Sequence, residues 1–141
     1  MRKNLTKPDH LINCDAPPFT PPNWSVEKHQ LGGLLEFNST KISFYQSDGQ
    51  TKKFIEGNEL RQKLNGMSVL NANVLDYLII HPELIPESWK NKRIYFWGTI
   101  YRDSDGDLHV RHLDWNGSEW GWHFKWLNNV FSLGSFAAIA S

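Results

Sequence analysis

The stretch that decides the fold is residues 93–126, RIYFWGTIYRDSDGDLHVRHLDWNGSEWGWHFKW. It contains three runs rich in aromatic and β-branched residues, 93–102, 107–114 and 118–127. They are joined by Asp103-Ser104-Asp105-Gly106-Asp107 and by Asp114-Trp115-Asn116-Gly117-Ser118. Both links carry an Asp-x-(Asp/Asn)-Gly-x pattern, and acidic or amide residues before a glycine favour tight turns. The spacing predicts a three-strand antiparallel meander.

Three-residue loops at both links would set Tyr101 opposite His109, and His109 opposite His123. The next row would be Thr99, Arg111 and Gly121. Because side chains alternate along a strand, one face then carries Ile94, Phe96, Ile100, Leu108, Val110, Trp120, Trp122, Phe124 and Trp126, the expected core. The other carries Tyr95, Trp97, Tyr101, His109, Arg111, His123 and Lys125. Aromatic planes beside cationic heads suit recognition of a partner, so these seven are the candidate binding residues. His109 facing His123 is the most enzyme-like pair, since cross-strand Cβ atoms lie about 4.5–5.5 Å apart. A catalytic zinc wants three protein ligands, however, and this register turns His112 to the opposite face. No metal, cofactor or catalytic residue is therefore assigned.

Upstream, Lys41-Ile42-Ser43-Phe44-Tyr45-Gln46, the turn Ser47-Asp48-Gly49 and residues 50–55 read as an N-terminal hairpin. Residues 56–66 read as a short helix, with Asn58 as its cap and Gly66 as its stop. Leu70, Val74, Leu75, Leu78 and Ile79 recur at helical spacing, so 71–80 is a second helix, closed by Pro82. Five of the seven prolines fall in residues 1–30, and Pro17-Pro18-Phe19-Thr20-Pro21-Pro22 has too few backbone donors to pair in a sheet. The expected organisation is an extended Pro-rich leader, 1–30, followed by one α+β domain, 31–141. That domain is an antiparallel sheet (N-terminal hairpin plus C-terminal meander) with two short helices. The leader either docks on a partner through Phe19 and Trp24, or lies across its own domain or stays mobile.

Composition narrows the function. With 141 residues the chain is long enough for a single core, and 15 basic against 15 acidic residues leave no cationic surplus for general nucleic-acid binding. The longest apolar run, Phe136-Ala137-Ala138-Ile139-Ala140, is far too short for a membrane helix, and no secretory h-region follows the basic start. The single Cys14 closes no intrachain disulfide, and a cytoplasmic location is expected. Phosphate-binding glycine loops, a Gly-x-Ser-x-Gly elbow and a His-Glu-x-x-His pair are absent from the sequence. Asp103-Ser104-Asp105-Gly106-Asp107 fails the twelve-residue calcium frame, which would need carboxylates at Tyr101 and His112.

Leu70-Asn71-Ala72-Asn73-Val74-Leu75-Asp76-Tyr77, Ile85-Pro86-Glu87-Ser88-Trp89-Lys90 and Phe96-Trp97-Gly98-Thr99-Ile100-Tyr101-Arg102-Asp103-Ser104-Asp105-Gly106-Asp107-Leu108 resemble an uncharacterised bacterial protein family. With the Ala137-Ala138-Ile139-Ala140-Ser141 ending, the resemblance spans about residues 70–141 and implies no activity. Asp105-Gly106-Asp107-Leu108 with Trp115-Asn116-Gly117-Ser118-Glu119-Trp120 is similar to one blade of bacterial propeller lectins. A single blade makes a lectin only through oligomerisation, since propellers need four or more.

The expectation is a non-enzymatic binding protein that presents an aromatic and cationic sheet face to a macromolecule, a protein ahead of a glycan. One alternative is a small hydrolase working through His109 and His123. Another is an oligomeric carbohydrate-binding module. In a third, the Phe136–Ala140 tail inserts into a neighbouring subunit.

Overall fold

A computed structural model describes residues 10–141; the first nine residues of the leader, with the basic start, lie outside the described residues. The chain folds as α+β, around a curled seven-stranded sheet rather than a separate hairpin and meander. Its elements are β1 (Leu11–Asn13), β2 (Ser25–His29), β3 (Leu34–Glu36), β4 (Ile42–Tyr45), α1 (Asp48–Lys52), β5 (Phe54–Glu56), α2 (Gly57–Lys63), α3 (Ala72–Ile80), β6 (Arg93–Tyr95), β7 (Thr99–Arg102), β8 (Leu108–Trp115), β9 (Trp120–Trp126), β10 (Val130–Ser132) and β11 (Ser135–Ala140). The main sheet runs β2-β7-β8-β6-β11-β4, with β9 on the other edge of β8. Two small pairs, β1 with β3 and β5 with β10, complete the strands. Among the described residues no helix is long and apolar enough to cross a membrane.

The expected first strand is present but broken. Tyr101 pairs with His109 as the turn chemistry predicts, yet Tyr95 pairs with His112 and Ile94 with Leu113. Three residues, Phe96, Trp97 and Gly98, are thus left over, and the sheet forks there. One branch continues through β7 to β2 and the other through β6 to β11. The segment before α3 fills the fork. Gly98 N–H donates to the Leu70 carbonyl at 2.9 Å, and the Gly98 carbonyl accepts from Gln30 N–H at 2.6 Å. Leu70 N–H reaches Ala138 O at 3.0 Å. Asn71 caps α3 with its side-chain oxygen and spends its amide on the carbonyls of Cys14 and Gln30, both at 2.9 Å. A Cβ at position 98 would lie 2.8 Å from Asn71 Cα, so only glycine admits this contact.

The N-terminal hairpin is not formed. Ser47 and Gln50, three apart, make a capping box that starts α1 instead of a strand turn. Gln50 is buried, and its amide donates to the carbonyls of Ser132 and Ser135. β5 consequently turns away to β10, while β4 pairs antiparallel with β11. β11 also runs parallel to β6, so the apolar tail lies inside the chain's own sheet.

The meander's second hairpin shifts as well. Asn116 Oδ1 accepts from the backbone of Ser118 and Glu119, both at 2.9 Å, and closes a four-residue loop, 116–119. Trp115 therefore faces Trp120, with ring centroids 5.5 Å apart. Every β8–β9 pair moves by three residues from the expected register. His109 lies opposite Trp126, Arg111 opposite Phe124, and His112 opposite His123. An odd shift exchanges faces. Trp122 and Phe124 now share a face with Leu113 and Arg111, not with Val110 and His112.

Both sheet faces are covered. Ile94, Phe96 and Leu113 pack with Val74, Leu75 and Leu78 of α3 and with Ile85 and Trp89. Tyr95, Trp97, Ile100 and Val110 pack on the opposite side with Leu60 and Leu64, Ile55, Leu127 and Phe131. Each such aliphatic or aromatic burial contributes roughly 1.5–3 kcal/mol.

The fork makes a paired prediction. Gly98→Ala drives a methyl into Asn71 and should cost about 2 kcal/mol or more, read as a lower urea midpoint. Gly121→Ala meets nothing within 4 Å and should leave the midpoint within about 0.5 kcal/mol. Equal midpoints for the two variants would contradict the forked packing.

Candidate functional site

The seven residues expected on one open face do not form one. Tyr95 and Trp97 belong to the core beneath α2, and Tyr101, His109 and Arg111 are also buried. Only His123 and Lys125 remain at least partly accessible, on the face opposite Arg111. Two causes act together: the register shift, and the chain's own proline-rich segment.

That segment lies across β8 and β9. Trp24 sits over His109 and Phe124, with ring centroids 4.7 and 4.5 Å away, and Phe19 meets Trp122 edge-on at 6.0 Å. Tyr101 donates its hydroxyl proton to the Phe19 carbonyl at 2.9 Å. Burial is the main influence on this phenol and pushes its pKa up. β2 follows directly and pairs with β7.

Beneath this cover Arg111 and His109 each meet a carboxylate of the fold, while Arg111 Nε and His109 Nδ1 have no hydrogen-bond partner. Arg111 is 1% exposed and makes a two-pronged contact with Asp76 of α3, at 2.7 and 3.1 Å. Its guanidinium lies 3.9 Å from the Trp122 ring centroid, a cation–π contact. His109 Nε2 is 2.8 Å from Asp103 Oδ2, and this hydrogen bond holds the Asp103 carboxyl below the usual carboxylate range. Asp103 Oδ1 accepts from the turn amides of Asp105 and Asp107, both at 2.9 Å. The acidic turn thus uses its first carboxylate to hold its own loop. The cross-strand pair His109–His123, on which the hydrolase alternative rests, is not formed.

The register brings together a different set on the opposite face. His112 and His123 stack across the strands with centroids 5.5 Å apart, and Asp114 is two residues along β8. Asp114 Oδ2 lies 3.5 Å from His112 Nδ1 and 3.6 Å from His123 Nδ1. His112 Nδ1 is buried without a hydrogen-bond partner. Burial above all, then the charges of His123, Arg93 and Lys125, pulls the His112 pKa down to about 4, so this imidazole is neutral at physiological pH.

A second surface feature is an open groove of about 510 Å³ between the β8–β9 loop and the turns after α3. Trp115 and Trp120 supply its aromatic side; Glu83, Glu87 and Glu119 supply exposed carboxylates. Lys90 sits within it, its Nζ 3.8 Å from the Trp115 ring centroid and 2.8 Å from Glu87 Oε2. None of these residues stands among the seven expected. Their signal in the sequence is Asn116-Gly117-Ser118-Glu119 flanked symmetrically by Trp115 and Trp120, which fits a four-residue loop with an aromatic pair at its base.

Cys14 is buried beside a small cavity of about 230 Å³ lined by Gln30, Leu35, Leu70 and Asn71. Burial, reinforced by the Asp15 charge, pushes its thiol up to about 11.

Two outcomes follow from this arrangement. Asp76→Ala strands the buried Arg111 guanidinium and should destabilise by about 3 kcal/mol, whereas Arg111→Met should cost less, because it removes the charge that needs a partner. Urea titrations of both variants measure this, and a smaller loss for Asp76→Ala would contradict it. At pH 8 only on the order of one Cys14 thiol in a thousand is ionised. Iodoacetamide should therefore label the native chain far more slowly than the urea-unfolded chain; equal rates would place the thiol at the surface.

No family model, curated protein or solved structure matches this chain, so the resemblances of residues 70–141 and of the Trp115–Trp120 segment rest on their own residues alone.

Proposed function

We propose that this chain is a non-enzymatic binding protein whose partner is a basic segment of another protein, received in the Trp115–Trp120 groove. The observation that carries the reading is the position of Lys90. Its ammonium lies against an indole face while a carboxylate holds it, and that is the grip an aromatic and acidic groove offers to a lysine or arginine from outside. Glu83 and Glu119 extend the same chemistry along the groove, with three carboxylates against one ammonium. Such an imbalance favours a cationic partner, guides its approach and repels acidic ones.

The groove replaces the aromatic and cationic face expected between Tyr95 and Lys125, which is largely buried, and its excess charge is acidic. A glycan is the second reading. Paired tryptophans beside carboxylates also suit stacking and hydrogen bonding to sugar rings, and the Trp115–Trp120 segment is the part similar to a lectin blade.

Arrays of basic and acidic peptides, read beside a glycan array, test the proposal. Binding should concentrate on Lys- and Arg-rich peptides and weaken with added salt. It should fall by about tenfold or more in the Glu83→Lys, Glu119→Lys double variant, whose substitutions are exposed and spare the core. Glycan-only signal would transfer the groove to the second reading. Peptide binding unchanged by the double charge reversal would remove the groove as the site.

A further inference from the structure

The face opposite the Trp115–Trp120 pair carries a metal-ligand geometry that the groove does not use. We propose that His112, Asp114 and His123 bind one divalent transition-metal ion of the zinc class, through His112 Nδ1, His123 Nδ1 and Asp114 Oδ2. The fourth coordination position is open to water.

The distances carry the argument. Around a tetrahedral ion with bonds of about 2.0–2.2 Å, neighbouring ligand atoms lie about 3.3–3.6 Å apart. The two Nδ1-to-Oδ2 separations are 3.5 and 3.6 Å, too long for good hydrogen bonds and matched to edges of that tetrahedron. One donor atom from each of the three residues lies within 4.8 Å of the other two. Rotation of the His123 ring, whose side chain is 67% exposed, closes the remaining edge.

A second observation points the same way. His112 is 92% buried, yet its Nδ1, 3.5 Å from Asp114 Oδ2, has no hydrogen-bond partner. A buried polar nitrogen without a partner is costly, and a metal bond would satisfy it. The Tyr95 ring packs 4.7 Å from the His112 ring and fixes its orientation. Across the ladder from Asp114 stands Gly121, where a Cβ would meet nothing within 4 Å, so the outer side is open to water.

The donor set selects the ion. Two imidazoles and one carboxylate suit zinc, cobalt, nickel or copper, whereas calcium and magnesium need mostly oxygen ligands. Arg93 and Lys125 lie close enough to influence His112 and offset the single carboxylate charge, so attraction of a hard cation by charge alone is weak. Nitrogen coordination supplies the affinity.

The test is calorimetric titration of the full chain, dialysed against EDTA, with Zn²⁺, accompanied by Co²⁺ absorption spectra. The expected result is one ion per chain and a Co²⁺ spectrum of four-coordinate intensity, with a Zn²⁺-dependent rise in Tm. His123→Ala and Asp114→Asn should each weaken binding by about tenfold or more and abolish the Tm rise. Neither residue is buried, so both variants should fold. His81→Ala, which alters the separate His10–His81 contact, should leave binding intact. Absence of one-to-one binding would overturn the proposal. So would binding lost in His81→Ala but kept in His123→Ala. Neither result bears on the peptide groove, whose test uses no metal.

Discussion

One side-chain amide sets the surface of this protein. Asn116 Oδ1 accepts two backbone protons from the loop it opens, and that closes four residues between Trp115 and Trp120. A three-residue closure would have set Trp122 and Phe124 on the face of Val110 and His112 instead of that of Arg111 and Leu113. In the observed register, Phe124 and Trp122 join Arg111 on the face that Phe19 and Trp24 cover, and His112 meets His123. The loop that fixes this alignment also forms one wall of the acidic groove. The β8–β9 alignment and both candidate sites therefore share a local cause.

The buried charges show why the expected recognition face became interior. Taking a guanidinium out of water needs a partner for its charge, and Asp76 and the Trp122 ring provide one, although Arg111 Nε stays without a hydrogen bond. His109 is similarly held by Asp103. Once these groups are held by carboxylates of the fold, covering them with Phe19 and Trp24 gains apolar burial. The leader's prolines suit this role, because a segment with few backbone donors can cross a sheet face without joining its ladder.

What could be read from the sequence was local. The Asp103–Gly106 turn, the Tyr101–His109 pairing, α3 with its Asn71 boundary and the approximate position of α2 follow from turn chemistry and apolar spacing within short windows. Apart from the β8–β9 register, set locally by the Asn116 loop, the failures were set by partners distant in the chain. Nothing within residues 93–102 says that Asn71 will press on Gly98 and fork the sheet. Nothing within residues 136–140 says that this segment pairs between β6 and β4. Ser47 and Gln50 fit both a turn and a capping box, and the buried carbonyls of Ser132 and Ser135 favour the box. The cross-strand histidine pair was foreseen in kind, but a three-residue error exchanged His112 for His109 and hid the Asp114 contact.

The alignment of β8 with β9 is open to direct measurement by interstrand backbone NOEs in the isotope-labelled chain. This account predicts cross-peaks linking His112 with His123 and Arg111 with Phe124. Cross-peaks linking His109 with His123 and Arg111 with Gly121 would contradict it.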